Sequence, residues 1–153
     1  MGTSGDPPSG HISARSRGRL GELLAAIALE AVGADAILVD RDGYDIIAND
    51  PVAGLLRVEV KSAHRLIRKA PNSSYYYYNF MTASGRDHKK RMNPEAVDVL
   101  AMVAVPERVT IFKAVTEVRG VTQKVAPHRF REPDIEFLSW QKTIRTILNN
   151  KGL

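Results

Sequence analysis

The sequence predicts one α/β domain, and three observations carry that prediction. A long early run has helical, almost wholly apolar character. Several shorter runs alternate apolar and polar residues, or are continuously apolar, as strands do. A second helical run with a single apolar stripe lies near the other end. No internal repeat or second domain is visible, so the expected domain covers 16–150.

Residues 1–15, from Met1 to Arg15, are rich in Gly, Ser and Pro and have little to bury, which predicts a disordered lead. Arg15, Arg17 and Arg19 follow at alternate positions, either as the solvated start of a helix or as a basic arm on phosphate. The first helix is expected from about Ser16 to Val32, stopped by Gly33. Leu20, Leu23, Leu24, Ile27 and Ala31 share one face, and Ala25, Ala26 and Leu29 make the other side apolar as well. Such a helix is normally buried. Glu22 within it either complements the helix dipole or points across to the sheet.

Ala36 to Arg41 reads as the first strand, and Asp42-Gly43 as a hairpin turn. Gly43 to Ala48 is the second strand, closed by the turn Asn49-Asp50-Pro51. In the third, Leu55 to Lys61, one set of alternate residues (Leu56, Val58, Val60) is apolar and the other carries Arg57, Glu59 and Lys61. His64 to Lys69 is a basic connection, with Arg65, Arg68 and Lys69, that ends in a loop at Pro71-Asn72.

Ser74 to Ala83 holds four consecutive tyrosines, Tyr75 to Tyr78, then Phe80, a density that favours a strand. Its two faces serve packing, or contacts to nucleic acid through residues such as Tyr76. Arg86, Lys89, Lys90 and Arg91 make a basic loop, either simply solvated or touching phosphate. Val97 to Val105 is the most continuously apolar strand and should be interior, with Asp98 interrupting its start. Val109 to Ala114 should pair with it across Pro106-Glu107-Arg108. Beyond Gly120 the pattern weakens until a last helix, Ile135 to Asn149, with Asp134 as its cap and Phe137, Trp140, Ile144, Ile147 and Leu148 as its stripe. That stripe is expected to dock on the sheet.

Composition narrows the function. The net charge of +5 and the pI of about 9.6 suit a polyanionic partner. No run is long enough to span a membrane and no secretory signal pattern opens the chain. The absence of cysteine excludes disulfides and thiolate metal sites and fits a reducing, cytoplasmic setting. His11, His64, His88 and His128 lack zinc spacing, and no phosphate-binding glycine loop is present.

The chemistry concentrates at Asp45, fourteen positions before Glu59, and at Glu59-Val60-Lys61. If the two strands are neighbours, two carboxylates and an ammonium converge, a grouping able to hold a hard divalent cation and aim water at a phosphate. The plainer reading is a surface Glu59–Lys61 pair with Asp45 an ordinary acid beside a turn.

Glu22 on the first helix, then Gly43-Tyr44-Asp45, then Glu59-Val60-Lys61 resembles the PD-(D/E)xK nuclease superfamily, the restriction-endonuclease-like fold. The order looks most like that of Holliday-junction resolvases. The stretch from Tyr75 to Ser84, the basic loop and Glu95 to Leu100 is similar to intron-encoded homing endonucleases of the same fold. Tyr44 stands where the nominal motif has proline. The resemblance implies an αβββαβ core, a mixed sheet flanked by helices, and a Mg²⁺-dependent (or Mn²⁺-dependent) DNA endonuclease. It implies Asp45, Glu59, the Val60 carbonyl and Glu22 as metal ligands, with Lys61 as the remaining catalytic group. Arg17, Arg19, Arg65, Arg68, Lys69, Tyr76, Arg86, Lys89, Lys90 and Arg91 are the candidate DNA contacts, and a homodimer or higher homo-oligomer is expected. The alternatives are an inactive DNA-binding module of the same fold and an assembly protein using the aromatic strand and last helix.

Overall fold

The computed structural model describes residues 13–41, 43–83 and 91–153. Strands β1 (Asp35–Arg41), β2 (Tyr44–Asp50) and β3 (Gly54–Ala63) form an antiparallel meander. After β4 (Ile67–Arg68) and β5 (Tyr76–Met81), strand β6 (Val99–Ala104) joins β3 in parallel, and β7 (Val109–Ala114) returns beside β6. The result is a mixed five-stranded sheet in the order β1-β2-β3-β6-β7. Every residue of β6 is buried, as its unbroken apolar run requires. Strand β8 (Thr122–Val125), in the stretch where the sequence pattern fades, pairs with β5 and completes a small sheet ordered β4-β5-β8.

Alternation along the strands divides the core in two. On one face Ile46, Leu56, Val58, Val99, Ala101 and Phe112 pack with helix α1 (Ala14–Ala31) and with Trp140, Ile144 and Ile147 of helix α2 (Ile135–Asn150). On the other, Leu100, Met102 and Ile111 meet Tyr78 and Phe80 of β5 and Phe130, whose ring stands edge-on to Tyr78 with centroids 5.4 Å apart. The tyrosine strand thus spends Tyr78 on the core, while Tyr75 stays outside.

Helix α1 starts two residues before the expected Ser16 because Ser13 caps it, its hydroxyl accepting the Ser16 amide at 3.1 Å. Arg15 is therefore helical rather than part of a disordered lead; residues 1–12 of that lead lie outside the described residues. Of the two apolar sides read in the sequence, the one carrying Ala25 and Leu29 is the more deeply buried. Gly21, Ala25, Ala28 and Leu29 are buried, whereas Leu23 and Ile27 are 40% and 64% exposed. Small residues let the helix settle close on β3, so close that a Cβ on Gly21 would overlap Ser62 Oγ. Leu20 and Leu24 still pack against the edge of this core, while Leu23 and Ile27 turn outward.

Helix α2 packs against β7 and closes its free edge. The Thr110 amide donates to the Glu136 carboxylate at 2.9 Å, and the Phe112 amide to the Ser139 hydroxyl at 3.0 Å. Asp134 does not cap this helix with its side chain. Its backbone is left-handed (φ 59°), not the extended conformation from which a side chain reaches back to the first turn. Phe137 leaves the expected stripe and is 47% exposed.

Asp98, an interruption in the sequence pattern, fastens β6 to β3. It accepts Arg57 Nε at 3.0 Å, Nη2 at 3.1 Å and the Arg57 amide at 2.8 Å. The same contact raises the Arg57 pKa, outweighing the lowering that burial of the guanidinium causes. Among the described residues no helix is long and apolar enough to cross a membrane.

Candidate active site

Pairing of β2 with β3 ends at Ile46 opposite Val58, although both strands run on. At the point where they part, the Asp45 carboxylate takes the place of a strand partner: Oδ2 accepts the Val60 amide at 2.8 Å. An amide that would otherwise lack a bond is satisfied, and the carboxylate is fixed against the Glu59-Val60-Lys61 segment. Val60 points its side chain into the α1 core. Glu59 and Lys61 therefore stand on the opposite face of β3, half-buried, with Lys61 Nζ 3.1 Å from Glu59 Oε1. Asp45 is thus bonded to the backbone of the residue that separates Glu59 from Lys61 on β3.

Glu22 is the fourth. It shares an open cleft of about 950 Å³ with Asp45, Arg19 and Leu38, and its Oε2 lies 3.9 Å from Arg19 Nη1. Among the described residues no three of His, Asp and Glu form a metal-holding group. The expected gathering of three carboxylates is absent because Asp45 is turned to the Val60 amide and Glu59 to Lys61. The donors that remain are hard oxygens: two carboxylates and the Val60 carbonyl. They fit Mg²⁺, which commonly takes one or two protein carboxylates and fills its octahedron with water and phosphate oxygen.

The predicted DNA contacts fall into separate groups. Arg17 and Arg65 line a second cleft of about 760 Å³, floored by the end of β3 at Ser62 and Ala63. Arg68 is bound to Tyr76, donating to its hydroxyl at 3.1 and 2.7 Å and to the Pro71 carbonyl at 2.9 Å. Those two side chains therefore secure the turn between β4 and β5. Lys69 and Arg91 are exposed, and Arg86, Lys89 and Lys90 lie outside the described residues.

The sequence reading missed Arg108, which joins Arg17 and Arg65 in the second cleft. Its signal was hidden in a hairpin turn, where an arginine carries no periodicity. It also missed His64 in that cleft, whose pKa is lowered by burial and by the nearby charge of Arg17.

No protein-family model matches the chain, and no curated protein matches it. Among solved structures it is similar to a bacterial homing endonuclease, I-Ssp6803I. The match has a TM-score of 0.63 and 17% identity, and it covers 92% of this chain and 99% of that one. At that identity the likeness concerns the fold: nearly the whole chain adopts the architecture of a known homing endonuclease.

Proposed function

We propose that the protein is a metal-dependent DNA endonuclease with a PD-(D/E)xK site made of Asp45, Glu59 and Lys61. The observation that carries this reading is the Asp45–Val60 bond. It brings an acid from one strand against a Glu-x-Lys segment of the next, in a fold shared with a DNA-cleaving enzyme. The basic charge and the arginine-lined cleft support DNA as the substrate.

Asp45, Glu59 and the Val60 carbonyl would hold Mg²⁺ or Mn²⁺, with Glu22 reaching it through water from the adjoining cleft. A bound divalent ion supplies charge neutralisation and a more acidic water. Lys61 contributes an ammonium close to the reacting phosphate, where it orients water and offsets the negative charge that builds in the transition state. Glu59 holds Lys61 in place through the 3.1 Å ion pair, so the same carboxylate that would bind the ion also positions the ammonium. Cutting both strands of a duplex with one site per chain favours action as a homodimer.

The reading is tested with supercoiled plasmid and branched DNA. Wild-type protein nicks in Mg²⁺ and not in EDTA, and Lys61→Ala is slower by about 10² or more. Equal nicking by wild type and Lys61→Ala overturns it. The second reading is a DNA-binding module without catalysis. It is favoured by the protein partners that Asp45 and Glu59 already possess, and predicts salt-sensitive binding with no cleavage in any metal.

A further inference from the structure

We propose that the cleft walled by Arg17, Arg65 and Arg108 is a second phosphate subsite, seating a DNA backbone phosphate one or two nucleotides from the one cleaved. The proposal rests on the DNA reading above and adds a place on the protein for the neighbouring part of the strand.

The first turns of α1 form a ridge between two clefts. Arg19 and Glu22 face the side of Asp45, whereas Arg17 faces the other side. The floor of this second cleft is Ser62 and Ala63, the continuation of β3 directly after Lys61. Two residues of strand span about 6.6 Å, about two nucleotide rises of 3.4 Å each. A single β-strand therefore carries both the Glu-x-Lys segment and the floor of the arginine cleft.

Among the described residues the charge in the cleft is uncompensated. No Asp or Glu lines it, and none of its three arginines has an ion-pair partner among the described residues. Arg57, Arg129 and Arg131, by contrast, each have a carboxylate. Burial and the Arg17 charge both hold His64 toward its neutral form, so the positive field belongs to the guanidiniums. Guanidinium forks suit the paired oxygens of a phosphodiester.

Two further features point to a ligand. Arg108 holds a left-handed backbone conformation at φ 58°, a position at which glycine would be unstrained. Asn79, also lining the cleft, has a side-chain oxygen buried with no hydrogen-bond partner.

The test is fluorescence anisotropy of a labelled DNA duplex titrated with the full chain in EDTA, so that binding is read without cleavage, across a series of salt concentrations. Arg108→Asn preserves a residue that tolerates the left-handed conformation, and Arg65→Gln alters an exposed loop position that carries no such constraint. Each is expected to weaken binding and to lower the slope of log affinity against log salt by about 0.9. Arg108→Lys keeps the wild-type slope, as does Arg119→Gln, an exposed arginine outside both clefts. Wild-type slopes in both Arg108→Asn and Arg65→Gln overturn the subsite while leaving DNA binding intact. An equal loss in Arg119→Gln overturns it as well, because net charge alone then accounts for the effect. A wild-type protein that binds no DNA at low salt overturns the subsite together with the proposed function.

Discussion

Val60 donates its amide to the Asp45 carboxylate across the gap where β2 and β3 have ceased to pair. The bond gives Asp45 a structural duty separable from any catalytic one. Asp45→Asn retains an oxygen acceptor and should leave stability within about 0.5 kcal/mol of wild type, whereas Asp45→Ala leaves the amide unpaired and costs about 1–2 kcal/mol. Both should abolish metal-dependent nicking. Urea unfolding separates the two effects, and an active, fully stable Asp45→Ala would contradict both assignments.

Lys61 and Glu59 make the second test. The 3.1 Å ion pair is partly exposed and contributes little to stability by itself. Lys61→Met should therefore fold with an unfolding midpoint close to wild type and bind DNA within a few-fold of it, yet cleave at least about 10²-fold more slowly. If cleavage falls only in proportion to binding, Lys61 is a DNA contact rather than a participant in the reaction.

Stability should carry an imprint of Glu136. Burial raises its pKa, and the hydrogen bond from the Thr110 amide only partly opposes that. A carboxyl with a raised folded pKa binds its proton more tightly in the native state. Its favourable contribution is present below the unfolded value, about 4.3, and is lost as pH rises through the folded value. Glu136→Gln keeps an acceptor for Thr110 without a buried charge. It should raise the melting temperature at pH 7 and narrow its advantage at pH 4; thermal melts across that range check the sign. Glu107 acts in the opposite sense. Arg131 and the Tyr78 hydroxyl hold its pKa down, so its contribution is present above the unfolded value and fades as pH falls through the lowered one.

Asp50 joins three segments. Its Oδ1 accepts Trp140 Nε1 at 3.1 Å, and its Oδ2 accepts the Val52 and Ala53 amides at 2.9 Å each. It is buried, so Asp50→Ala strands three donors and should cost about 2–4 kcal/mol. Trp140→Phe removes only one of those bonds and should cost less if its ring keeps the contact with Phe112. Urea midpoints in the reverse order would contradict this account.

Much of the architecture was legible because it is written in local patterns. Alternation marked β3, the unbroken apolar run marked β6, and Asp42-Gly43 with Pro106-Glu107-Arg108 marked two hairpins. The pairing of β2 with β3, which brings Asp45 to Val60, lies across the turn marked by Asn49-Asp50-Pro51. What escaped depends on contacts distant in sequence. Strand β8 is a strand because β5 offers it an edge, not because of its own composition. The inner face of α1 did not stand out in a helix apolar almost all round, because the close approach of Gly21 to Ser62 that selects it is a contact distant in sequence. The arginine cleft is assembled from α1, the chain after β3 and the β6–β7 turn, so no single window displays it.

The central claim is that one divalent ion lies between Asp45 and Glu59. Replacing Mg²⁺ by Fe²⁺ and generating hydroxyl radicals at the bound iron with ascorbate and peroxide cuts the polypeptide beside the ion. Fragment masses should report two cuts, one at residues near Asp45 and one at Glu59 to Lys61, both suppressed by excess Mg²⁺ and absent from Asp45→Asn. Scission elsewhere, or a pattern indifferent to Mg²⁺ and to the Asp45 substitution, would contradict the claim.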